Sequence, residues 1–198
     1  MLHSMSRNVQ HARRPATLED LYAIPEEERH HELIDGELVE KASPSGEHGT
    51  AQRKLGVFVD PYDRRPGGGA PGGWWLMAEV EVEMGQELYR PDVVGWRRDR
   101  VPERPRGFPV RIRPDWIAEI LSPTNSGNDR VKKLNRYHAH SVPHYWLIDP
   151  VEENLAVYRW TDQGYLLVLA AAADERVRAE PFDALELAVG ELFGDDAS

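Results

Sequence analysis

Between residues 116 and 121 the chain reads Trp116-Ile117-Ala118-Glu119-Ile120-Leu121, and this run limits the fold more than any other segment. Both alternating sets of positions are apolar apart from one residue. That is the pattern of a central strand covered on two faces, not of a surface strand with one wet side. A chain carrying such a strand must build a sheet with layers packed on it. The exception, Glu119, costs several kcal/mol as an ionised carboxylate unless an arginine, a solvent-reaching strand end or a metal ion compensates it. Ser122-Pro123 ends the strand just past Glu119. The carboxylate is therefore expected near the carboxyl edge of the sheet, where α/β-type folds hold ligands.

The remaining pattern supplies the partners of this strand. A short helix opens at Thr17, with Leu18, Leu21 and Tyr22 on one side and Pro25 ending it. His31 to Ile34 and Glu37 to Glu40 flank Asp35-Gly36, a pair that readily supplies the two positive φ angles of a tight hairpin. A helix follows from about Glu47 to Val59, with Leu55, Phe58 and Val59 on its apolar face. Trp75 to Glu83 alternates apolar and acidic residues and predicts one strand, with Glu79, Glu81 and Glu83 on a wet face. A second strand, Tyr89 to Trp96, carries Asp92. Asn128 to His140 reads as a helix and Tyr145 to Ile148 as another interior strand. Leu155 to Trp160 and Tyr165 to Leu169 read as a hairpin over Asp162-Gln163-Gly164, and Leu185 to Phe193 reads as helical. The expected architecture is a mixed sheet flanked by helices, with hairpins near both ends of the chain.

Composition narrows the chemistry. The 198 residues, 40% apolar and 29% charged, suit one folded domain and lie far from the signature of disorder. Residues 1–16 are expected to be a flexible segment, 17–193 the domain and 194–198 an acidic tail. No stretch approaches the roughly 18 apolar residues of a membrane span, and Met1 to Arg14 lacks the apolar centre of a signal peptide, so a cytoplasmic location with no membrane partner is expected. The absence of cysteine excludes disulfides, thiolate ligands, iron–sulfur clusters and a cysteine nucleophile. The Pro66 to Gly73 stretch is not a phosphate loop, because Trp74 and Trp75 stand where Lys and Ser or Thr are needed. The histidines show no zinc spacing. A net charge of −10 argues against bulk electrostatic binding of nucleic acid. Seven arginines between Arg97 and Arg113 would form either a local basic patch or, with prolines interleaved, a solvated mobile loop.

Asp92, after Pro91, is either a turn-opening residue or a ligand. With Glu119 on another strand it would supply hard oxygens to Mg²⁺ or Mn²⁺, which prefer carboxylates plus retained water and phosphate oxygens, and the Ile120 carbonyl would add a further ligand.

These residues belong to an ordered series: Glu32-Leu33-Ile34-Asp35-Gly36-Glu37-Leu38, Ser43-Pro44-Ser45 with His48, Arg90-Pro91-Asp92-Val93-Val94, Glu119-Ile120-Leu121-Ser122-Pro123, Lys133 with Tyr137, and Val142 through Pro150. The series resembles the Uma2 family of restriction endonucleases. The resemblance spans about residues 17–193 and implies the PD-(D/E)xK restriction-endonuclease-like fold. It departs at one point, since Leu121 occupies the position of the superfamily lysine two residues after the second acid. What the resemblance then implies is a relocated lysine, Lys133, on the helix after the acidic strand, following Asp129. Helical spacing puts Val131, Leu134 and His138 on the packed face and Lys133 nearer its border than Lys132. A solvated helix lysine is the plain alternative. Glu32 matches the early acidic position of the family, and His48 another family position; a strand-edge carboxylate and a capping histidine are their plain alternatives. The implied activity is Mg²⁺- or Mn²⁺-dependent cleavage of nucleic acid, DNA foremost, by Asp92, Glu119, Lys133 and Glu32. A homodimer is expected by analogy, with Trp74, Trp75, Tyr145 and Trp146 as candidate surface, although these aromatics read first as core. The competing expectation is a catalytically inactive module that keeps the fold for nucleic-acid or protein binding, and a third is hydrolysis of another phosphoester.

Overall fold

The structure is a computed structural model that describes residues 14–122 and 128–196, with the side chains of residues 128–130 outside the description. The expected flexible start and the end of the acidic tail lie largely outside the described residues.

Thr17 opens helix α1 (Leu18–Tyr22) through a reciprocal capping box with Asp20. Strands β1 (His31–Ile34) and β2 (Glu37–Glu40) then form the expected hairpin, with Asp35 at φ 52° and Gly36 at φ 73°. Ser45 caps helix α2 (Gly46–Val59), which buries His48, Ala51, Leu55 and Val59 along one stripe. From there the chain enters β3 (Trp74–Ala78), β4 (Val82–Met84), β5 (Glu87–Tyr89), β6 (Val93–Arg97) and β7 (Trp116–Ile120). A π-helical turn (Asn128–Lys133) leads into α3 (Leu134–Ala139), followed by β8 (His144–Asp149), β9 (Asn154–Thr161) and β10 (Gly164–Ala172). Two short strands, β11 (Arg176–Val177) and β12 (Leu187–Ala188), precede a 3₁₀ turn (Val189–Phe193).

Six strands form a mixed sheet in the order β10-β9-β8-β7-β6-β3, in which β7 and β8 run parallel. Four more form a second sheet, β2-β1-β5-β4. As the run Trp116–Ile120 predicts, β7 is buried at every position and central. Its even positions Trp116, Ala118 and Ile120 join a core with Ala51, Leu55 and Val59 of α2, while Ile117 and Leu121 join a second core with Ile34, Tyr89 and Tyr137. The large sheet is thus covered by α2 on one face and by the small sheet with α3 on the other.

Gly95 on β6 is where two tryptophans crowd the sheet: a Cβ there would lie 2.8 Å from Leu76 Cδ2, 3.2 Å from Trp74 and 3.3 Å from Trp116. Gly95→Ala is expected to destabilise the fold by about 1–3 kcal/mol, the usual range for overpacking, as a lower urea midpoint at unchanged slope.

Several expectations are corrected. The strand predicted for Trp75 to Glu83 is two strands in different sheets, because Glu79 takes a left-handed φ of 55° and breaks the run. Glu81, expected on a wet face, is buried against Arg90 at 2.9 Å and Arg29 at 3.8 Å. The strand predicted for Tyr89 to Trp96 is likewise divided, and Arg90-Pro91-Asp92 forms the link between the sheets. The segment from Leu185 to Phe193 contains the short strand β12 and a 3₁₀ turn in place of a helix. Val131, expected on the packed face, is 60% exposed; the π-helical turn shifts the phase, so Lys133 and Tyr137 are the buried pair. Tyr145 and Trp146 are fully buried and Trp74 nearly so, which agrees with their reading as core and removes them as a dimer surface. The arginines of residues 97–113 are mostly exposed, and several are tethered by acids: Arg98 pairs with Asp63, Arg100 with Asp115 and Arg111 with Glu83.

Candidate active site

The register of β6 against β7 decides where the acids meet. Val93 pairs with Ala118 in antiparallel sense. Extending that register by one residue sets Asp92 opposite Glu119, and residues directly opposed in an antiparallel pair share a face. Asp92 is fixed there by the Ile120 N–H, which donates to its Oδ2 at 2.7 Å. Both carboxylates are essentially sealed, at 1% exposure each.

Lys133 reaches the same place from the π-helical turn. Its ammonium lies 2.9 Å from Glu32 Oε2 on β1 and 3.0 Å from Glu119 Oε1 on β7. One turn further along, the Tyr137 hydroxyl donates to Glu119 Oε1 at 2.6 Å. Burial, with Glu119 and Glu32 nearby, pushes the Tyr137 phenol well above its ordinary pKa, so it remains a donor. The other Glu32 oxygen accepts the Arg90 N–H at 2.7 Å. Lys132 instead points outward to Glu37. Of the four residues singled out for catalysis, the structure therefore gathers Glu32, Glu119 and Lys133 by direct contact, with Asp92 bound to the residue next to Glu119.

Three further groups were not singled out from the sequence. Lys41, just past β2, donates to Asp92 Oδ1 and Glu79 Oε2, both at 2.9 Å, and to the Arg90 carbonyl at 2.7 Å. Gln52, one turn after His48 on α2, donates to Glu79 Oε1 and to the Asp92 carbonyl, each at 3.0 Å. Glu79 is delivered by the break between β3 and β4. The signals were faint: Lys41 directly follows a strand, and Gln52 lies four residues after a family-position histidine. His48 Nε2 is 3.3 Å from Asp92 Oδ1, while its buried Nδ1 has no hydrogen-bond partner among the described residues. Burial alone would raise the Asp92 pKa, but His48, Lys41 and Lys133 overcome it and hold the carboxylate ionised well below its usual range.

A family model described as "Uma2: Putative restriction endonuclease" matches residues 18–190. The chain belongs to the Uma2 family. The Uma2 assignment agrees with the fold: a crystal structure described as a putative nuclease belonging to DUF820 from Anabaena variabilis ATCC 29413 is 26% identical. It superposes with a TM-score of 0.72 over 90% of this chain and 98% of that one. The restriction-endonuclease-like mixed α and β architecture expected from the sequence is thus the observed one. No protein of curated function matches the chain. Among the described residues no helix is long and apolar enough to cross a membrane.

The cluster has the charge of a cation pocket. Glu32, Glu79, Asp92 and Glu119 bring four negative charges, and Lys41 and Lys133 return two, leaving an excess of two that a divalent ion would balance. Donor atoms of His48, Glu79 and Asp92 also lie within 4.8 Å of one another. The carboxylate oxygens suit a hard ion such as Mg²⁺ or Mn²⁺, and an imidazole beside them shifts the preference toward a transition metal such as Mn²⁺.

Proposed function

We propose that this protein is a Mg²⁺- or Mn²⁺-dependent endonuclease that hydrolyses phosphodiester bonds, with DNA as substrate. The observation that carries the reading is the Lys133 ammonium held between Glu32 and Glu119, in a chain whose superfamily lysine position is Leu121. In this proposal Asp92 and Glu119, with the Ile120 carbonyl, would hold the ion, and His48 and Glu79 flank it at the cleft side. A divalent ion in such a site polarises a phosphoryl oxygen and lowers the pKa of a bound water. The protein groups do the rest. The Ile120 N–H aims Asp92, the Tyr137 hydroxyl and Lys133 aim Glu119, and Lys133 offsets charge that develops on the phosphoryl group. Glu32 fixes Lys133, and through the Arg90 N–H it ties the small sheet to the loop that carries Asp92. Substrate would enter by a cleft of about 380 Å³ lined by Lys41, Ser43, His48, Gln52 and Glu79.

A second reading, a nuclease-fold module without catalysis, is supported by one observation. Both Asp92 oxygens already have partners, Lys41 and His48 on one and the Ile120 N–H on the other. The test is incubation of DNA and RNA with Mg²⁺ or Mn²⁺, comparing wild type, Glu119→Gln and an EDTA control. Divalent-dependent cleavage that falls to the EDTA background in Glu119→Gln is expected. Cleavage equal in both proteins would remove Glu119 from the machinery, and no cleavage by wild type together with no metal uptake in calorimetry would favour the binding module.

A further inference from the structure

Lys41 is the cation that the nuclease reading leaves without a task. Its backbone N–H donates to the His30 carbonyl at 2.7 Å, extending the hairpin ladder one residue beyond β2 and setting the side chain across the site. All three ammonium protons have acceptors: Glu79 Oε2, Asp92 Oδ1 and the Arg90 carbonyl. Lys133, by contrast, is only 3% exposed behind Glu32 and Glu119, whereas the Lys41 side chain keeps 19% exposure and lines the cleft.

Geometry sets these contacts in competition with a metal ion. Asp92 Oδ2 faces the Ile120 N–H within the sheet, whereas Oδ1 faces the cleft-lining Lys41 and His48, so a cation arriving by the cleft meets Oδ1, the oxygen that Lys41 occupies. Glu79, the other carboxylate of the grouped donors, is bound to the same ammonium. The ion and the Lys41 ammonium would compete for one and the same oxygen, Asp92 Oδ1, and would repel each other strongly there. The cleft beside Lys41 gives the flexible side chain somewhere to go.

We propose that Lys41 is an exchangeable internal cation: its ammonium holds Asp92 and Glu79 in place and is displaced into the cleft when a divalent ion binds there. This inference rests on the metal site proposed above. Lys41 is then a positioning residue for the acids before the ion arrives, and it sets how tightly the ion is held. Occupancy of Asp92 by the lysine and by the ion are two mutually antagonistic binding events, so removing one strengthens the other by the same coupling.

The test is calorimetric titration of Mn²⁺ into wild type, Lys41→Met and Lys41→Gln, the glutamine keeping an amide donor without the charge. Both neutral variants are expected to bind Mn²⁺ about tenfold more tightly. Unchanged or weaker binding by both overturns the role of Lys41 while leaving the metal reading intact. No Mn²⁺ binding by wild type or either variant overturns the metal reading, and the inference with it. A measurement on wild type alone covers the case of a variant that does not fold. Reductive methylation followed by peptide mass spectrometry is expected to leave Lys41 protected without Mg²⁺ and reactive at saturating Mg²⁺, with Lys132 as the internal reference. Equal Lys41 reactivity in the two conditions overturns the proposal.

Discussion

Lys133→Met is expected to lower the free energy of unfolding by about 3–5 kcal/mol, the range seen when one member of a buried ion pair is removed. The Lys133, Glu32 and Glu119 side chains are each no more than 3% exposed, so the carboxylates cannot recover hydration when the ammonium goes. Methionine fills nearly the same volume, which keeps the cavity contribution small and makes charge the main cause. The neutral donors that remain to these acids, the Arg90 N–H and the Tyr137 hydroxyl, do not replace a full positive charge. Urea unfolding followed by fluorescence measures the loss. Lys132→Met is the matched control, because its pairing with Glu37 is between side chains 39% and 62% exposed and should contribute less than about 1 kcal/mol. A double variant Glu119→Gln with Lys133→Met should recover part of the loss, since it removes one of the two stranded charges. Equal small losses for Lys132→Met and Lys133→Met would mean that the lysine does not neutralise these acids in solution.

The same cluster marks how far a sequence reading reaches. Strand β7 was legible because burial on both faces writes itself as consecutive apolar residues, and a lone Glu119 among them demands compensation. The Asp35-Gly36 hairpin was legible because two consecutive positive φ angles select few residue types. Other elements depended on information that is not local. The segment from Trp75 to Glu83 is apolar as far as Ala78 and alternates only from Glu79 onward, and the backbone turns at that change, after which β4 pairs with β5 in the other sheet. Glu81 looks like a solvent-facing residue until Arg29 and Arg90 are brought to it from elsewhere in the chain. Lys133 was anticipated for a reason that failed in detail: the expected α-helical phase buried Val131 and put Lys133 at a border, whereas the π-helical turn buries Lys133 and exposes Val131. Lys41 and Gln52 escaped because their partners, Asp92 and Glu79, are between 27 and 51 residues away, and nothing in local spacing couples them.

What keeps Glu32 and Lys133 within 3 Å of each other is also a matter of distant residues, and it yields the second large effect. Glu87 on β5 accepts from the Asp35 N–H at the hairpin turn, from Tyr89, and from Arg136 and His140 at α3 and its end. One carboxylate thus clamps the hairpin that carries Glu32 to the helix that follows Lys133. Burial by itself would raise the Glu87 pKa. The His140, Tyr89, Arg136 and Asp35 contacts outweigh it and hold the group at about 2, below its ordinary 4.5. A carboxylate with a depressed folded-state pKa contributes stability that is fully present above the unfolded value of 4.5 and is lost as pH falls through about 2. Glu87→Gln keeps the shape and removes the charge, and is expected to cost about 2–3 kcal/mol near neutral pH, in the range of charge-assisted hydrogen bonds. The wild-type and variant curves of unfolding free energy against pH should run parallel at neutral pH, approach one another between 4.5 and about 2, and meet below that. Parallel curves throughout would show that Glu87 acts through shape alone. Because the clamp also sets the spacing between Glu32 and Lys133, the same variant should weaken Mn²⁺ uptake, although Glu87 has no contact with Asp92 or Glu119 among its described hydrogen bonds. Loss of a group that supports the residues around a metal typically weakens the metal's binding by about 10–100-fold. Unaltered Mn²⁺ affinity in a destabilised Glu87→Gln would separate the clamp from the site and leave it a purely structural device.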